Sequence, residues 1–471
     1  MIARILYLLV FSTSTYAQSD TKDFFGGNYS SPSNWESGTL PDASDERISL
    51  LGDMIMDIDP IFIEFESNGH NIHISEGIEV SMDLVFINGE STLTNEGIIR
   101  QARFIYGGTA KLNNLGTIIN DDSDIDGDVS FTFFGSSIFN NAGDIIGQVG
   151  ISILSDSITH INTGRIISNT RAINVRRGEF INDGLIDAPA IILNGTPDGI
   201  IVPLINNSNI LLDDFSRLSG HYDFINNGTL IVAEGTMDIS GSNDRIINNI
   251  GAHIVAQNGV LMNDPGNTVI NAGTFLITNT LRVFDGATVE NLATGTIKIS
   301  DSDREGIIMS GTSNGPTINN YGDLILCGNN IFLGSCDIEH SHSLSSINNF
   351  ESGEIWADTD LQGSDCSSNP IPTINNLGGL INFSCNTAPN FELPSINCSP
   401  NFVGTNQLTG QLDESDFFET DGIIVSDHII GSTTDANIIV EYDSGISIEL
   451  LKNFEVTDGV IFIATIDGCD E

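Results

Sequence analysis

The acidic run Asp-Asp-Ser-Asp-Ile-Asp-Gly-Asp, residues 121–128, is the first candidate for site chemistry in this sequence. Asp122, Asp124 and Asp126 stand at alternate positions before a glycine, as carboxylates do at the start of a calcium-binding loop. A complete loop of that kind has Glu at its twelfth position, where this chain has Phe133. The match is half complete, so two interpretations stay open: a calcium site and a solvated acidic loop.

A second group of ligand-type side chains lies in Cys-Asp-Ile-Glu-His-Ser-His, residues 336–342. If this segment is extended, His340 and His342 share one face, as a transition-metal site requires. No third ligand is specified, so a loop without metal is the simpler interpretation. His70 and His73 form another pair, but strand geometry would place them on opposite faces. We expect no required cofactor, and calcium is the ligand that the sequence itself suggests.

Motifs for polysaccharide cleavage are incomplete. Hydrolases of the polygalacturonase type combine aspartate pairs with Gly-His-Gly and Arg-Ile-Lys, and lyases need a basic residue beside an acidic, usually calcium-bound site. Aspartate pairs occur at 121–122 and 213–214, but tyrosine follows His221, and Thr-Ile-Lys at 296–298 lacks the arginine. We therefore expect no catalytic site, with a divergent polysaccharide lyase or glycoside hydrolase as the alternative.

All six cysteines lie in the last third of the chain, at Cys327, Cys336, Cys366, Cys385, Cys398 and Cys469. An even number of cysteines in an exported protein favours disulfides, although six allow fifteen pairings and the sequence does not select one. Zinc is the competing interpretation. It is disfavoured because the chain has no Cys-x-x-Cys pair and the spacings are irregular.

The N-terminus predicts export. Arg4 precedes an apolar run at 5–11, and the small residues Thr15 and Ala17 stand where a signal peptidase cleaves. The run is much shorter than the ~20 residues of a membrane span, so we expect a cleaved signal peptide at 1–17 and no membrane span. The mature protein would be extracellular or on the outer cell surface.

The charge balance excludes several classes of partner. The chain has 16 basic and 63 acidic residues and a formal net charge of −47. Such a surface repels nucleic acid and anionic lipid, and would bind acidic polysaccharides tightly only through a divalent cation. The composition is 40% hydrophobic, which is enough for a core, so the acidity belongs to a folded surface.

A phrase of the type Phe-Ile-Asn-Asn-Gly-Thr-Leu-Ile-Val recurs about every 23 residues, a period typical of solenoids. In each copy an asparagine is followed, usually after one residue, by glycine and then by apolar residues. The copies start at Asn95, Asn114, Asn141, Asn162, Asn182, Asn207, Asn226, Asn249, Asn271, Asn291, Asn320, Asn349 and Asn376. Helical and leucine-rich repeats are excluded, because neither a 3.6-residue periodicity nor a Leu-x-x-Leu-x-Leu frame is present.

Each phrase fits a short strand, a tight corner and a second strand. The glycine suits a corner with positive φ, and Asn209 replaces it in Asn-Ser-Asn-Ile-Leu as the next best residue for that conformation. The asparagines of stacked coils should form a hydrogen-bonded ladder. The structural residues that represent this motif are Asn114, Gly116, Asn226, Gly228, Asn271, Gly273, Asn320, Gly322, Asn376 and Gly378.

This repeat resembles the parallel β-helix proteins displayed on or secreted from bacterial cells. The segment Ser-Asn-Trp-Glu-Ser-Gly-Thr-Leu-Pro, from Ser33, resembles the N-terminal segment of that class. The resemblance implies an all-β, right-handed parallel β-helix at 51–400, preceded by an N-terminal segment and cap at 18–50. Trp35 would lie over the first coil, with carbohydrate stacking as its alternative role.

After about residue 400 the repeat gives way to an acidic segment, 401–425, which we interpret as a connector. Residues 426–471 resemble the small three-coathanger stack module of exported Gram-negative proteins. Gly445, Phe454, Gly459 and Cys469 carry the resemblance, whereas Lys452 and Asn453 replace its usual Pro-Gly. No sorting tail is visible after this segment, which argues against covalent or type IX anchoring at the cell surface and leaves simple secretion and retention by a partner open.

The leading functional expectation is an exported, non-enzymatic β-solenoid that acts as a cell-surface, adhesion or matrix-type interaction protein. The last three spacings of the repeat are longer than most others, and the insertions there carry Cys327, Cys336 and Cys366. Insertions in a solenoid emerge as loops, and two interpretations stay open: loops that bind a partner, and loops that only cover the end of the rod. Glycans and other surface proteins are the expected partners, and the oligomeric state stays open.

Overall fold

The structure is a computed structural model, and it shows an all-β parallel solenoid with almost no helix. One 3-10 turn, Pro32–Asn34, lies among the described residues. These are residues 21–41, 47–59, 63–100, 103–120, 129–155, 158–168, 173–175, 177–194, 202–214, 218–219, 222–241, 243–300, 305–310, 315–326, 330–333, 345–357, 373–382, 405–408, 411–412, 416–420, 423–426, 429–430, 439–444, 447–450, 455–456 and 461–465.

Most coils contribute one strand to each of three parallel sheets, and each strand pairs with its counterpart in the next coil. The sheet that carries the repeated asparagines, here called the Asn sheet, has 16 strands. They are Gly27–Asn28, Met54–Met56, Ile72–Ile74, Thr92–Asn95, Lys111–Asn114, Ile138–Asn141, Thr159–Asn162, Glu179–Asn182, Val202–Asn206, Tyr222–Asn226, Arg245–Asn248, Thr268–Asn271, Thr288–Asn291, Thr317–Asn320, Ser346–Phe350 and Thr373–Leu377.

The second sheet follows the corner after each asparagine. Its strands are Glu79–Ile87, Ile98–Arg100, Thr117–Asn120, Asp144–Gly147, Arg165–Ser168, Leu185–Asn194, Asn209–Asp214, Thr229–Val232, His253–Ala256, Thr274–Ile277, Thr296–Ile299, Asp323–Leu326, Glu354–Ala357 and Leu380–Asn382. Two of them, Glu79–Ile87 and Leu185–Asn194, continue into the third sheet and join the two sheets.

The third sheet closes each coil. Its strands are Thr21–Phe24, Arg47–Leu50, Ile63–Glu66, Arg103–Tyr106, Val129–Gly135, Val149–Ser155, Ile173–Val175 and Leu218–Ser219. In later coils a five-stranded sheet takes this place, with strands Met237–Ile239, Val260–Met262, Leu281–Phe284, Glu305–Ser310 and Asn330–Leu333.

Short strands with alternating side chains build the core. In Lys111–Asn114, for example, Leu112 and Asn114 are buried and Lys111 is exposed, because successive strand residues point to opposite faces. Parallel register stacks similar side chains on one another. Phe104 lies 4.9 Å from Phe131, measured between ring centroids, with the rings nearly parallel. Stacking lets each coil bury an apolar face that it could not bury alone.

The predicted asparagine ladder is present as a continuous row that is buried from Asn95 to Asn349 and ends in the exposed Asn376. Each Nδ2 donates one hydrogen bond to the Oδ1 of the ladder asparagine in the next coil, at 2.7–3.3 Å. Each Nδ2 donates a second hydrogen bond to a backbone carbonyl in the next coil. This carbonyl belongs to the first residue of that coil's second-sheet strand. The ladder thereby fixes the corner between the two sheets in every coil from Asn95 to Asn376.

In two coils the prediction chose the wrong one of two adjacent asparagines for the ladder, so the repeat was aligned one residue too late there. Register places Asn206 and Asn248 in the buried row, not the residues that follow them, Asn207 and Asn249. The glycine position of the first of these coils is therefore held by Ser208, not by Asn209. At this corner the Ser208 N–H bonds the Oδ1 of Asn206 at 3.3 Å. Where two asparagines are adjacent, the sequence does not show which one belongs to the ladder, because the two differ only in burial.

The reason for the corner glycines also differs from the prediction. Gly116, Gly228, Gly273 and Gly322 do not have positive φ. A Cβ on Gly116 would lie 2.1 Å from the carbonyl oxygen of Gly97 in the coil below, and the other three face similarly close contacts with the backbone. These glycines are required by the close approach of stacked corners. Of the five glycines chosen to represent the motif, Gly378 does adopt a positive φ, of 106°.

The N-terminal end of the core is covered by Trp35, as predicted. The side chain is 2% exposed and packs edge-on against Phe24 and Tyr29, with ring centroids 4.8 Å and 5.2 Å away. Its Nε1 donates to the carbonyl of Tyr29 at 3.0 Å. A buried indole with a satisfied N–H has no free face for a sugar ring, which excludes the carbohydrate-stacking role.

The C-terminal strands form three further parallel sheets of three strands each. The strands are Thr405–Leu408, Ile423–Ser426 and Ser447–Leu450; Gln411–Leu412, Ile429–Ile430 and Glu455–Val456; and Asp416–Thr420, Ile439–Ser444 and Ile461–Thr465. Several of them fall within 401–425, the segment interpreted from sequence as a connector. That segment therefore contributes strands to these sheets.

Candidate functional site

Several predicted site residues lie outside the described part of the chain. These are Asp122, Asp124 and Asp126, the segment 336–342, and all six cysteines: Cys327, Cys336, Cys366, Cys385, Cys398 and Cys469. Within the described residues, no group of three or more His, Cys, Asp or Glu side chains is arranged to hold a metal ion. The same residues include no helix that is long and apolar enough to cross a membrane. The calcium and disulfide hypotheses stay predictions.

The two described histidines of the Gly-His-Asn-Ile-His segment belong to separate contacts. His70 Nδ1 lies 3.8 Å from the carboxylate of Asp53, and His73 Nε2 lies 3.5 Å from that of Glu96. Each imidazole faces a different carboxylate. They therefore do not form a shared site.

An exposed apolar row follows the ladder at its C-terminal end. In four successive coils the residue directly after the ladder asparagine is Leu292, Tyr321, Phe350 or Leu377, and we call these four residues the corner patch. Leu292 and Leu377 are 36% and 53% exposed. The rings of Tyr321 and Phe350 stack with centroids 4.2 Å apart and planes at 7°. Their faces contact each other, so the row presents ring edges and aliphatic surface outward.

A row of amides runs beside the corner patch. Asn319, Asn348 and Asn375 directly precede the ladder asparagines and lie on the outer face of the Asn sheet. Asn348 donates to Asn319 and Asn375 donates to Asn348, both at 2.9 Å. These bonds fix the amide planes, and each amide keeps further donor and acceptor capacity. An apolar row beside oriented amides can bind a ligand that has both apolar and hydroxyl surface.

A second feature is a carboxylate set in an apolar row on the outer face of the second sheet. Register places Asp187 between Ile167 and Leu211. Burial raises the pKa of Asp187 to about 7, and the negative charge of Asp213 adds to the shift. Asp213 follows Leu211 by two residues in one strand and so shares this outer face. Asp187 can therefore be protonated near neutral pH while a second carboxylate is nearby.

Two buried titratable groups belong to the core. His160 points inward between Phe139 and Phe180, its Nδ1 accepts the Phe139 N–H at 3.2 Å, and burial lowers its pKa to about 4. Asp244 accepts the Tyr222 N–H at 3.1 Å, and its other oxygen has no hydrogen-bond partner among the residues that the structure describes. Burial, with nearby acidic groups, raises the pKa of Asp244 to about 7. Both side chains are inaccessible to a ligand.

Comparison with known proteins gives no match. No protein-family model matches the chain, and no curated protein or solved structure is significantly similar to it. The arguments about function therefore depend on the side chains described above.

Neither the corner patch nor Asp187 was predicted from the sequence. Both become visible when the coils are aligned on the ladder. The residue after each ladder asparagine is polar or small in most coils and changes to Leu, Tyr, Phe and Leu in the last four, while Asp187 interrupts a column of Ile and Leu. The sequence contains both patterns, but they can be recognised only when each coil is aligned on the correct ladder asparagine.

Proposed function

We propose that this protein is an exported, non-enzymatic β-solenoid that acts as a cell-surface, adhesion or matrix-type interaction protein, and that it binds its partner through the corner patch. The observation that carries the proposal is the surface row Leu292, Tyr321, Phe350 and Leu377 on a regular and otherwise acidic rod, in which the two leucines are exposed and the two rings are half-buried. Contiguous exposed apolar surface on a folded protein is typical of a binding site.

The neighbouring amides favour a glycan as the partner. Sugars present apolar C–H faces together with hydroxyl groups, and the apolar row beside Asn319, Asn348 and Asn375 complements both. The coils that hold the patch also carry the cysteine-containing insertions, and loops on a rigid scaffold commonly bind ligands. The signal peptide predicted at 1–17 and the resemblance of 426–471 to a module of exported proteins support an extracellular setting.

A glycan-array screen of the full chain, with calcium and then with a chelator, tests this proposal. We expect binding that is lost in the double variant Tyr321→Ala/Phe350→Ala. The matched control is Leu115→Ala, because Leu115 is 55% exposed at the same corner position near the other end of the ladder. Binding that survives the double variant would contradict the patch assignment. Loss of binding with chelator would direct substitution to Asp122, Asp124 and Asp126.

A divergent polysaccharide-cleaving enzyme is the second candidate function. It is favoured by Asp187 and Asp213, since a protonated and an ionised carboxylate on one surface are what a glycoside hydrolase uses. A lyase is less favoured. Arg165, in the coil before Asp187, binds the Asp144 carboxylate through Nε and Nη2 at 2.8 and 2.7 Å, so this guanidinium is held by an ion pair.

Depolymerisation assays on acidic and neutral polysaccharides separate the two functions. Under the leading proposal the full chain releases no reducing ends or unsaturated products. Cleavage that is abolished by Asp187→Asn and retained by Tyr321→Ala/Phe350→Ala would overturn it in favour of the hydrolase. Asp187→Asn preserves the size of the side chain, so a loss of activity would report on the carboxyl group.

A further inference from the structure

The outer face of the Asn sheet carries isoleucine in six consecutive coils. Each isoleucine directly precedes the ladder asparagine, and strand register stacks Ile161, Ile181, Ile205, Ile225, Ile247 and Ile270 into one row. All six side chains are partly exposed. A solvated sheet face normally presents polar residues. An apolar row of this length is therefore suited to contact with another apolar surface.

The residues around the isoleucines are arranged symmetrically about the gap between Ile205 and Ile225. The row ends in Asn140 on the N-terminal side and Glu290 on the C-terminal side, both of them polar. A second row of outward-facing residues runs parallel to the isoleucines, two positions earlier in each strand. It includes Glu179 and Arg245. These two opposite charges lie one coil beyond the gap, on opposite sides of it.

We propose that this face binds a second copy of the chain with the two rods antiparallel. The two-fold axis would run along the strand direction, through the gap between Ile205 and Ile225. Each Glu179 then faces Arg245 of the second copy, and Ile181 faces Ile247. Arg245 bonds Asp223 through Nε and Nη2. Among the described residues its Nη1 has no partner, so it can reach a carboxylate across the interface.

Charge decides between the antiparallel and the parallel arrangement. With parallel rods, each coil would face the same coil of the second copy. Glu290 would then oppose its own equivalent, and Glu179 would oppose Asp183, which follows the ladder asparagine of its coil. Like charges placed opposite one another disfavour an interface. The antiparallel arrangement places Asn140 opposite Glu290 and Asn249 opposite Asp183, so it avoids both repulsions.

The size of the face is consistent with a reversible dimer. Eight coils, from the one with Asn140 to the one with Glu290, span ~38 Å by ~13 Å at standard strand dimensions. This corresponds to about 500 Å² per partner and about 1,000 Å² in total, the lower limit for a specific interface. The inference does not depend on what the patch binds.

Sedimentation velocity on the full chain, across a concentration series at about 0.15 M salt to screen the net charge, tests the proposal. We expect a monomer–dimer equilibrium that Ile225→Lys abolishes. Ile105→Lys is the matched control, since Ile105 is a partly exposed outward residue of the third sheet. Glu179→Arg and Arg245→Glu should each weaken the dimer at least about tenfold, because like charges then face each other.

Mixing the Glu179→Arg chain with the Arg245→Glu chain provides the decisive result. In the proposed arrangement both cross-interface pairs of the mixed dimer are again oppositely charged, so dimerisation should return. Thermal unfolding of each variant shows that it is folded. A chain that is monomeric at its highest soluble concentration would overturn the proposal. A dimer that is unaffected by Ile225→Lys, or charge variants that mixing does not rescue, would also overturn it.

Discussion

The corner of the rod carries two side-chain ladders that differ in burial and in the second hydrogen bond, to a backbone carbonyl, that each inner amide donates. Asn226 belongs to the inner ladder, is fully buried and donates to the Oδ1 of Asn248 at 2.9 Å. Asn227, the next residue, is exposed and donates to the Oδ1 of Asn207 at 2.7 Å. The outer ladder runs through four coils, from Asp183 to Asn249. The amide–amide bonds are alike in length, so the comparison sets buried amides that also bond the backbone against amides whose bonds water can replace.

Replacing one residue of each ladder should give the largest contrast. Asn226→Ala leaves a buried N–H on Asn206 and a buried Oδ1 on Asn248 without partners, and each such group costs about 1–3 kcal/mol. We expect a loss of about 4 kcal/mol in the free energy of unfolding. Asn227→Ala should cost less than about 0.5 kcal/mol, since water replaces its bonds. Urea unfolding of both variants measures the difference, and equal losses would contradict this account.

A second contrast tests why the corners contain glycine. A Cβ on Gly164 would lie 2.1 Å from the carbonyl oxygen of Gly143, whereas a Cβ on Gly107 would meet nothing within 4 Å, and neither residue has positive φ. Gly164→Ala must separate two stacked backbones and should cost about 3 kcal/mol. Gly107→Ala should be neutral or slightly stabilising. Thermal unfolding of the two variants tests whether close stacking or backbone conformation requires the glycine. If conformation were the reason, the two substitutions would cost the same.

The sequence predicted the solenoid and the ladder because both depend on local periodicity. A recurring Asn, a glycine and flanking aliphatic residues determine strand, corner and inward direction within each coil. The phase at Asn206 and Asn248 could not be predicted, since both asparagines of a pair satisfy the same pattern. The corner patch and the pairing of Asp187 with Asp213 were also missed. They arise between coils, from a register that insertions of variable length obscure.

The buried histidine extends the comparison of burial to a titratable group. The pKa of His160 is lowered from 6.5 to about 4, so the unfolded chain binds this proton more readily than the folded chain does. The contribution of the neutral His160 side chain to the free energy of unfolding is therefore fully present above pH 6.5 and is lost as the pH falls towards 4. The wild type should lose about 3 kcal/mol over this range relative to His160→Leu, measured by urea unfolding at each pH. Parallel pH profiles would contradict the assignment.

The first rung of the inner ladder should give the smallest effect. The preceding coil has Ile74 at this position, and within the described part of the chain the buried Oδ1 of Asn95 has no hydrogen-bond partner. Asn95→Ala therefore leaves one buried group, the Oδ1 of Asn114, without its hydrogen-bond donor, whereas Asn226→Ala leaves two buried groups without partners. We expect a loss of about 2 kcal/mol, roughly half that of the interior substitution. An equal loss at both positions would mean that the ladder is stabilised by packing of the amides, since only the hydrogen-bond account depends on the neighbours on either side.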